Sequence, residues 1–98
     1  MQYAIETTEE FDEWLDGLRD RKAAAIIAKR IVRVSGGLLG DVSPVGEGVS
    51  ELRIDFGPGY RVYFVMRGQT IIVLLLGGDK SSQDRDIRKA KEMAADLE

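Results

Sequence analysis

From Ile71 to Leu76 the chain runs six apolar residues without a break. The run is far too short to cross a bilayer, which takes roughly 20 residues. Its apolar residues occupy both odd and even positions, so as a strand it has no side that suits water. A strand of this kind is expected in the middle of a sheet, covered on both faces.

The residues before it supply the neighbours. From Val49 the pattern alternates, with Leu52, Ile54 and Phe56 on one face and Glu51, Arg53 and Asp55 on the other. Gly57-Pro58-Gly59 makes a turn. In the next strand Tyr60, Val62, Phe64 and Met66 share the inner face, leaving Arg61, Tyr63, Val65 and Arg67 outside. Gly68-Gln69 suits a two-residue hairpin with glycine at its first central position. Gly77-Gly78-Asp79-Lys80 is expected to end the sheet.

Upstream the period is helical. After a short strand over Gln2 to Glu6, Thr7 and Glu10 form a capping box, and Phe11, Trp14, Leu15 and Leu18 make one apolar stripe. The helix should run from Thr8 to about Arg19. Asp20 caps a second helix to about Val34, joined closely enough for an antiparallel hairpin. Residues 36–48 hold five glycines and Pro44 without periodicity, which reads as a long loop. Ser81 and Asp84 form another capping box, opening a last helix with Ile87, Ala90, Ala94 and Leu97 in a narrow stripe. The order is β-α-α-β-β-β-α. It implies an α+β fold in which an antiparallel β-meander sheet packs on an N-terminal α-hairpin, as one domain over residues 1–98.

Composition narrows the function classes. The chain has no cysteine and no histidine, so neither a thiol nucleophile nor a transition-metal site is expected, and no cofactor is implied. No basic segment precedes an apolar stretch at the N-terminus, so no secretion signal or membrane association is expected, and the location reads as cytoplasmic. The net charge of −3 hides an uneven distribution. Residues 1–20 carry seven acids against one base, residues 21–33 five bases and no acid, and residues 51–91 eight bases against five acids.

Glu51-Leu52-Arg53-Ile54, Phe56-Gly-Pro-Gly-Tyr-Arg-Val-Tyr63 and Gly77-Gly-Asp-Lys-Ser-Ser-Gln83 together resemble the RelE/ParE toxin superfamily, within it the HigB-like addiction-module killer proteins. The resemblance implies a RelE-like fold and the role of toxin in a type II toxin–antitoxin system. It implies a helix-turn-helix antitoxin as partner, and metal-independent endoribonuclease activity on ribosome-bound mRNA. ParE-like members poison DNA gyrase instead, and a third alternative is a toxin fold that survives only as a binding module.

RNA cleavage without a metal uses the ribose 2′-OH as nucleophile. It needs a base, an acid and cations for the charge growing on phosphorus. The expected catalytic set is Arg53, Arg61, Asp79 and Lys80. Arg61 would clamp the phosphate with its planar fork, Arg53 would share that charge, Asp79 is a candidate base, and Lys80 a candidate acid or second cation. Tyr63 would stack on a base or ribose and Arg67 would bind RNA, all on one open face of the sheet. Where many RNA-cleaving relatives carry histidine or arginine after the closing glycine, this chain has Asp79 and Lys80. Carry-over from the family is therefore strongest for Arg53 and Arg61. A solvated ladder of cross-strand salt bridges is the alternative explanation of the same arginines.

Overall fold

The computed structural model describes residues 2–97. Its elements are β1 (Ala4–Thr7), α1 (Glu9–Asp16), α2 (Arg21–Ser35), β2 (Val42–Gly46), β3 (Val49–Ile54), β4 (Tyr60–Arg67), β5 (Ile71–Asp79) and α3 (Gln83–Ala95), with a 3-10 turn at Lys80–Ser82. One five-stranded sheet runs in the order β1-β5-β4-β3-β2, with β1 parallel to β5 and the other pairs antiparallel. The apolar run of β5 thus lies between β1 and β4. Leu74 and Leu75 are fully buried, on opposite faces.

One face carries α1 and α2. Phe11, Ile27 and Val34 meet Leu52, Ile54, Val62, Phe64, Ile72 and Leu74 there. The other face carries α3, whose Ala90, with Ile87, Met93 and Ala94, meets Val49, Tyr63, Val73, Leu75 and Leu76. Opposite Tyr63 and Phe64 the β4–β5 register shifts. The irregularity lets Leu75 and Leu76 both turn towards α3. No helix among the described residues is long and apolar enough to cross a membrane.

Five local expectations need correction. The cap of α1 is Thr8, not Thr7: the Thr8 hydroxyl accepts from the Phe11 N–H at 3.1 Å and also donates to the Leu75 carbonyl at 2.5 Å. That second bond ties the cap to the irregular point of β5. Thr7 ends β1 and donates to Asp12 instead. The expected loop over 36–48 contains β2, an edge strand, where Pro44 is tolerated because one side of the strand needs no ladder bond. Its hairpin turns at Glu47-Gly48, both with positive φ. The β4–β5 turn holds three residues, 68–70, rather than two.

The glycine pair at 77–78 does not end the sheet, since β5 continues to Asp79. Successive strand residues face opposite layers, and each glycine makes room for one. A Cβ on Gly77 would overlap the Trp14 ring of α1, and a Cβ on Gly78 would overlap the Asp86 carboxylate of α3. The expected Ser81/Asp84 capping box is absent too. Asp79 caps the 3-10 turn by accepting from the Ser81 N–H at 2.8 Å and the Ser81 hydroxyl at 2.5 Å. α3 starts at Gln83, and the hydroxyl of its N-cap Ser82 donates to Asp86 at 2.6 Å rather than capping the helix.

Candidate functional site

The register of the meander aligns Arg53 with Arg61, and Arg61 with Gly78, across three strands. In the next row Glu51 lies opposite Tyr63, and Tyr63 opposite Leu76. Arg53 and Arg61 are brought to the same end of the sheet, as the alternation requires. The face they share is not open. The first two turns of α3 roof it, leaving Arg61 8%, Glu51 4% and Tyr63 0% exposed.

Beneath this roof lies a compact polar cluster. The Glu51 carboxylate accepts a hydrogen bond from the Gln83 side-chain amide at 3.0 Å. Its other oxygen sits 3.8 Å from both Arg53 Nη1 and Arg61 Nε. Arg53 also donates twice to Asp41, at 2.7 and 3.0 Å. That bond holds the Asp41 carboxyl below its usual range and raises the Arg53 pKa. Arg61 Nη1 donates to the Tyr60 carbonyl at 3.0 Å. Two buried donors, Arg61 Nε and the Tyr63 hydroxyl, have no acceptor within hydrogen-bond distance, and Arg61 Nε meets the Glu51 oxygen only at ion-pair distance. Burial, with Glu51 and Asp86 near, pushes the Tyr63 phenol up, so it stays a neutral donor.

The remaining expected site residues fare differently. Tyr63 is fully buried, so the expected stacking on a base is unavailable in this conformation. Arg67 lies at the far end of β4, ion-paired to Glu6 at 3.5 Å, away from Arg53 and Arg61. Asp79 spends its carboxylate on Ser81, whose two hydrogen bonds pull its pKa down. Both bonds fall on one oxygen, and a carboxylate with a lowered pKa is a weaker proton acceptor. Lys80 is exposed, its aliphatic stem lying against Gly59 at the entry to β4, on the Arg61 end of the sheet. The four residues expected on one open face are thus one half-buried arginine, two buried groups and one distant arginine.

Four residues that meet Arg53, Arg61 or Tyr63 here carry no expected site role: Asp41, Glu51, Gln83 and Asp86. Alternation puts Glu51 on the outer face of β3, and the structure keeps it there, but that face is covered rather than solvated. The missed signal was α3. Its stripe of Ile87, Ala90 and Ala94 needed a surface, and with α1 and α2 on one side only the arginine face remained.

The comparisons with known proteins agree with this architecture. The family model for phage-derived protein Gp49-like matches residues 13–96. An uncharacterized protein of Haemophilus influenzae is 47% identical over 97 residues, covering 99% of this chain and 98% of that one. A mutant of the Escherichia coli toxin RelE in the free state superposes with TM-score 0.73 at 12% identity, over 99% of this chain and 100% of that one. In a RelBE2 toxin–antitoxin complex of Mycobacterium tuberculosis the matching chain gives TM-score 0.63 at 21% identity, over 82% of this chain and 100% of that one. A conserved hypothetical protein of Helicobacter pylori gives 0.53 at 18%, over 83% of this chain and 97% of that one. The chain belongs to the phage-derived Gp49-like family and has the RelE-like toxin fold.

Proposed function

We propose that this protein is the toxin of a toxin–antitoxin pair, and that it cleaves ribosome-bound mRNA when the first turns of α3 move off the Glu51–Arg61 cluster. The observation that carries the reading is the pair of buried donors without acceptors, Arg61 Nε and the Tyr63 hydroxyl. A buried donor left without a hydrogen bond costs about 1–3 kcal/mol, and two on one face of β4 favour an arrangement in which acceptors arrive. Phosphate oxygens are acceptors that also match the guanidinium fork.

The chemistry follows from the donor set. Glu51, with one oxygen free of hydrogen bonds, takes the proton from the ribose 2′-OH. The 2′ oxygen attacks the adjacent phosphorus, and the bond to the 5′ oxygen breaks. Arg61 and Arg53 hold the phosphate oxygens while charge builds. Lys80 gives its proton to the departing 5′ oxygen, leaving a 2′,3′-cyclic phosphate and a 5′-OH. Asp79 keeps the Lys80 turn in shape rather than acting as base.

A second reading, a binding module without catalysis, is favoured by the closed face itself. Ribosomes carrying a defined message distinguish the two. The wild-type chain is expected to cut the message, Glu51→Gln to lose about 100-fold or more in rate, and Arg53→Ala a smaller factor. An intact message with the wild-type chain would remove the nuclease reading. Full activity in Glu51→Gln would remove Glu51 as the base.

A further inference from the structure

We infer that the outer face of α2 is the docking surface for an acidic amphipathic helix of a partner protein, which under the reading above is the antitoxin. The chain has two basic regions, the meander arginines and α2. Arg53, Arg61 and Arg67 each lie against a carboxylate. Arg30 of α2 is also occupied, donating to the carbonyls of Leu39, Asp41 and Arg53 and so holding the segment before β2.

Lys22, Lys29 and Arg33 remain. All three are exposed, and among the described residues none has a carboxylate within ion-pair distance. Lys22 Nζ lies over the Phe56 ring, 5.9 Å from its centre. At 3.6 residues per turn the three project within roughly 40° of one another, along about 16 Å of helix.

Beside this row α2 exposes Ala25, Ala28 and Val32. The helix ends in a Schellman motif, in which the Leu38 N–H donates to the Arg33 carbonyl and the Gly37 N–H to that of Val34, both at 2.9 Å. The motif folds Leu38 back to the last turn of the helix, which also carries Val32. Such a pair is usually tucked away, yet Val32 and Leu38 are each 68% exposed. An apolar end on a cationic row is what a protein partner covers. A nucleic acid backbone would use the cations and leave the aliphatic carbon in water. The straight row, spaced by seven and four residues, fits a helix that presents carboxylates at the same spacing and an aliphatic anchor at one end. The acids of α1 on a second copy are the competing occupant.

The test uses the full chain and a synthetic helical peptide with three glutamates at that spacing and leucines at one end. A scrambled peptide and a single-stranded RNA oligomer serve as comparisons. The helical peptide should bind and shift backbone amide NMR signals of α2. Lys29→Glu with Arg33→Glu should weaken binding about tenfold or more, and Val32→Ser with Leu38→Ser several-fold. Unchanged binding in these variants, equal binding of the scrambled peptide or RNA, or a homodimer that the charge reversals dissociate would each overturn the inference. Peptide binding at α2 without message cleavage would sink only the nuclease reading, and cleavage without such binding only this one.

Discussion

The two faces of the sheet are built from different materials. The α1/α2 face is a dry core of large side chains, with Phe11, Ile27, Val34, Leu52 and Leu74 nearly or fully buried. On the α3 face the sheet also contributes large buried side chains, Val49, Tyr63 and Leu75, but α3 itself brings only Ala90 and Asp86 fully under cover, with a few half-buried aliphatics and polar contacts along the helix. Gln83 meets Glu51 near the N-terminus, and Lys91 lies 3.5 Å from Glu47 of the β2–β3 turn further along. Burial of large apolar surface gives a face its stability, whereas polar contacts contribute little net and part at little cost. The first face defines the fold, and the second is the one that the proposed function requires to open.

Core truncation should show the largest difference. Phe11→Ala is expected to destabilise by about 3–5 kcal/mol, whereas Ile87→Ala, on the half-buried stripe of α3, should cost about half of that or less. Denaturant titration of both variants checks it, and equal losses would erase the distinction between the faces.

The adjacent glycines sharpen the same comparison within one strand. Gly77→Ala drives a methyl group into the Trp14 ring and Gly78→Ala into Asp86, each costing about 1–3 kcal/mol. Amide exchange should locate the damage in α1 for the first variant and in α3 for the second. Damage to the same layer in both would contradict the alternation argument.

Much of this was legible from residues. The stripe of Phe11, Trp14, Leu15 and Leu18, the alternation of β3 and β4, and the two-sided apolar run of β5 each have one physical solution, and the helices and meander followed. β2 was hidden because an edge strand can hold Pro44 and end in glycine. Its turn was hidden because Glu47 occupies a left-handed position usually given to asparagine or glycine. The arginine alignment was readable from period two. Closure of that face was not, since nothing local in Glu51 or Tyr63 records which element lies over them.

Acid should act first on the polar end. Asp41 and Asp79 have pKa values below those of the unfolded chain, so the stability they contribute is present above the unfolded carboxylate range and lost as pH falls through their lowered values. Asp41→Asn should flatten part of the fall in stability on acidification, as read by thermal melts from neutral to acidic pH. An unchanged pH profile would show that the Arg53 contact contributes nothing.

The smallest expected effect is at the strained turn. Glu47 has φ 55°, where an L side chain is disfavoured, so Glu47→Gly should stabilise the hairpin by up to about 1 kcal/mol, less the loss of the Lys91 contact. A thermal melt decides the sign.

Native-state amide hydrogen exchange across the free chain compares the two faces most directly. The account predicts that α3 exchanges through a local opening well below the free energy of global unfolding, while α2 and β5 exchange only when the whole chain unfolds. If α3 were as strongly protected as β5, the roof over Glu51 and Arg61 would be a permanent part of the core, and the proposed site would have no way to meet a substrate.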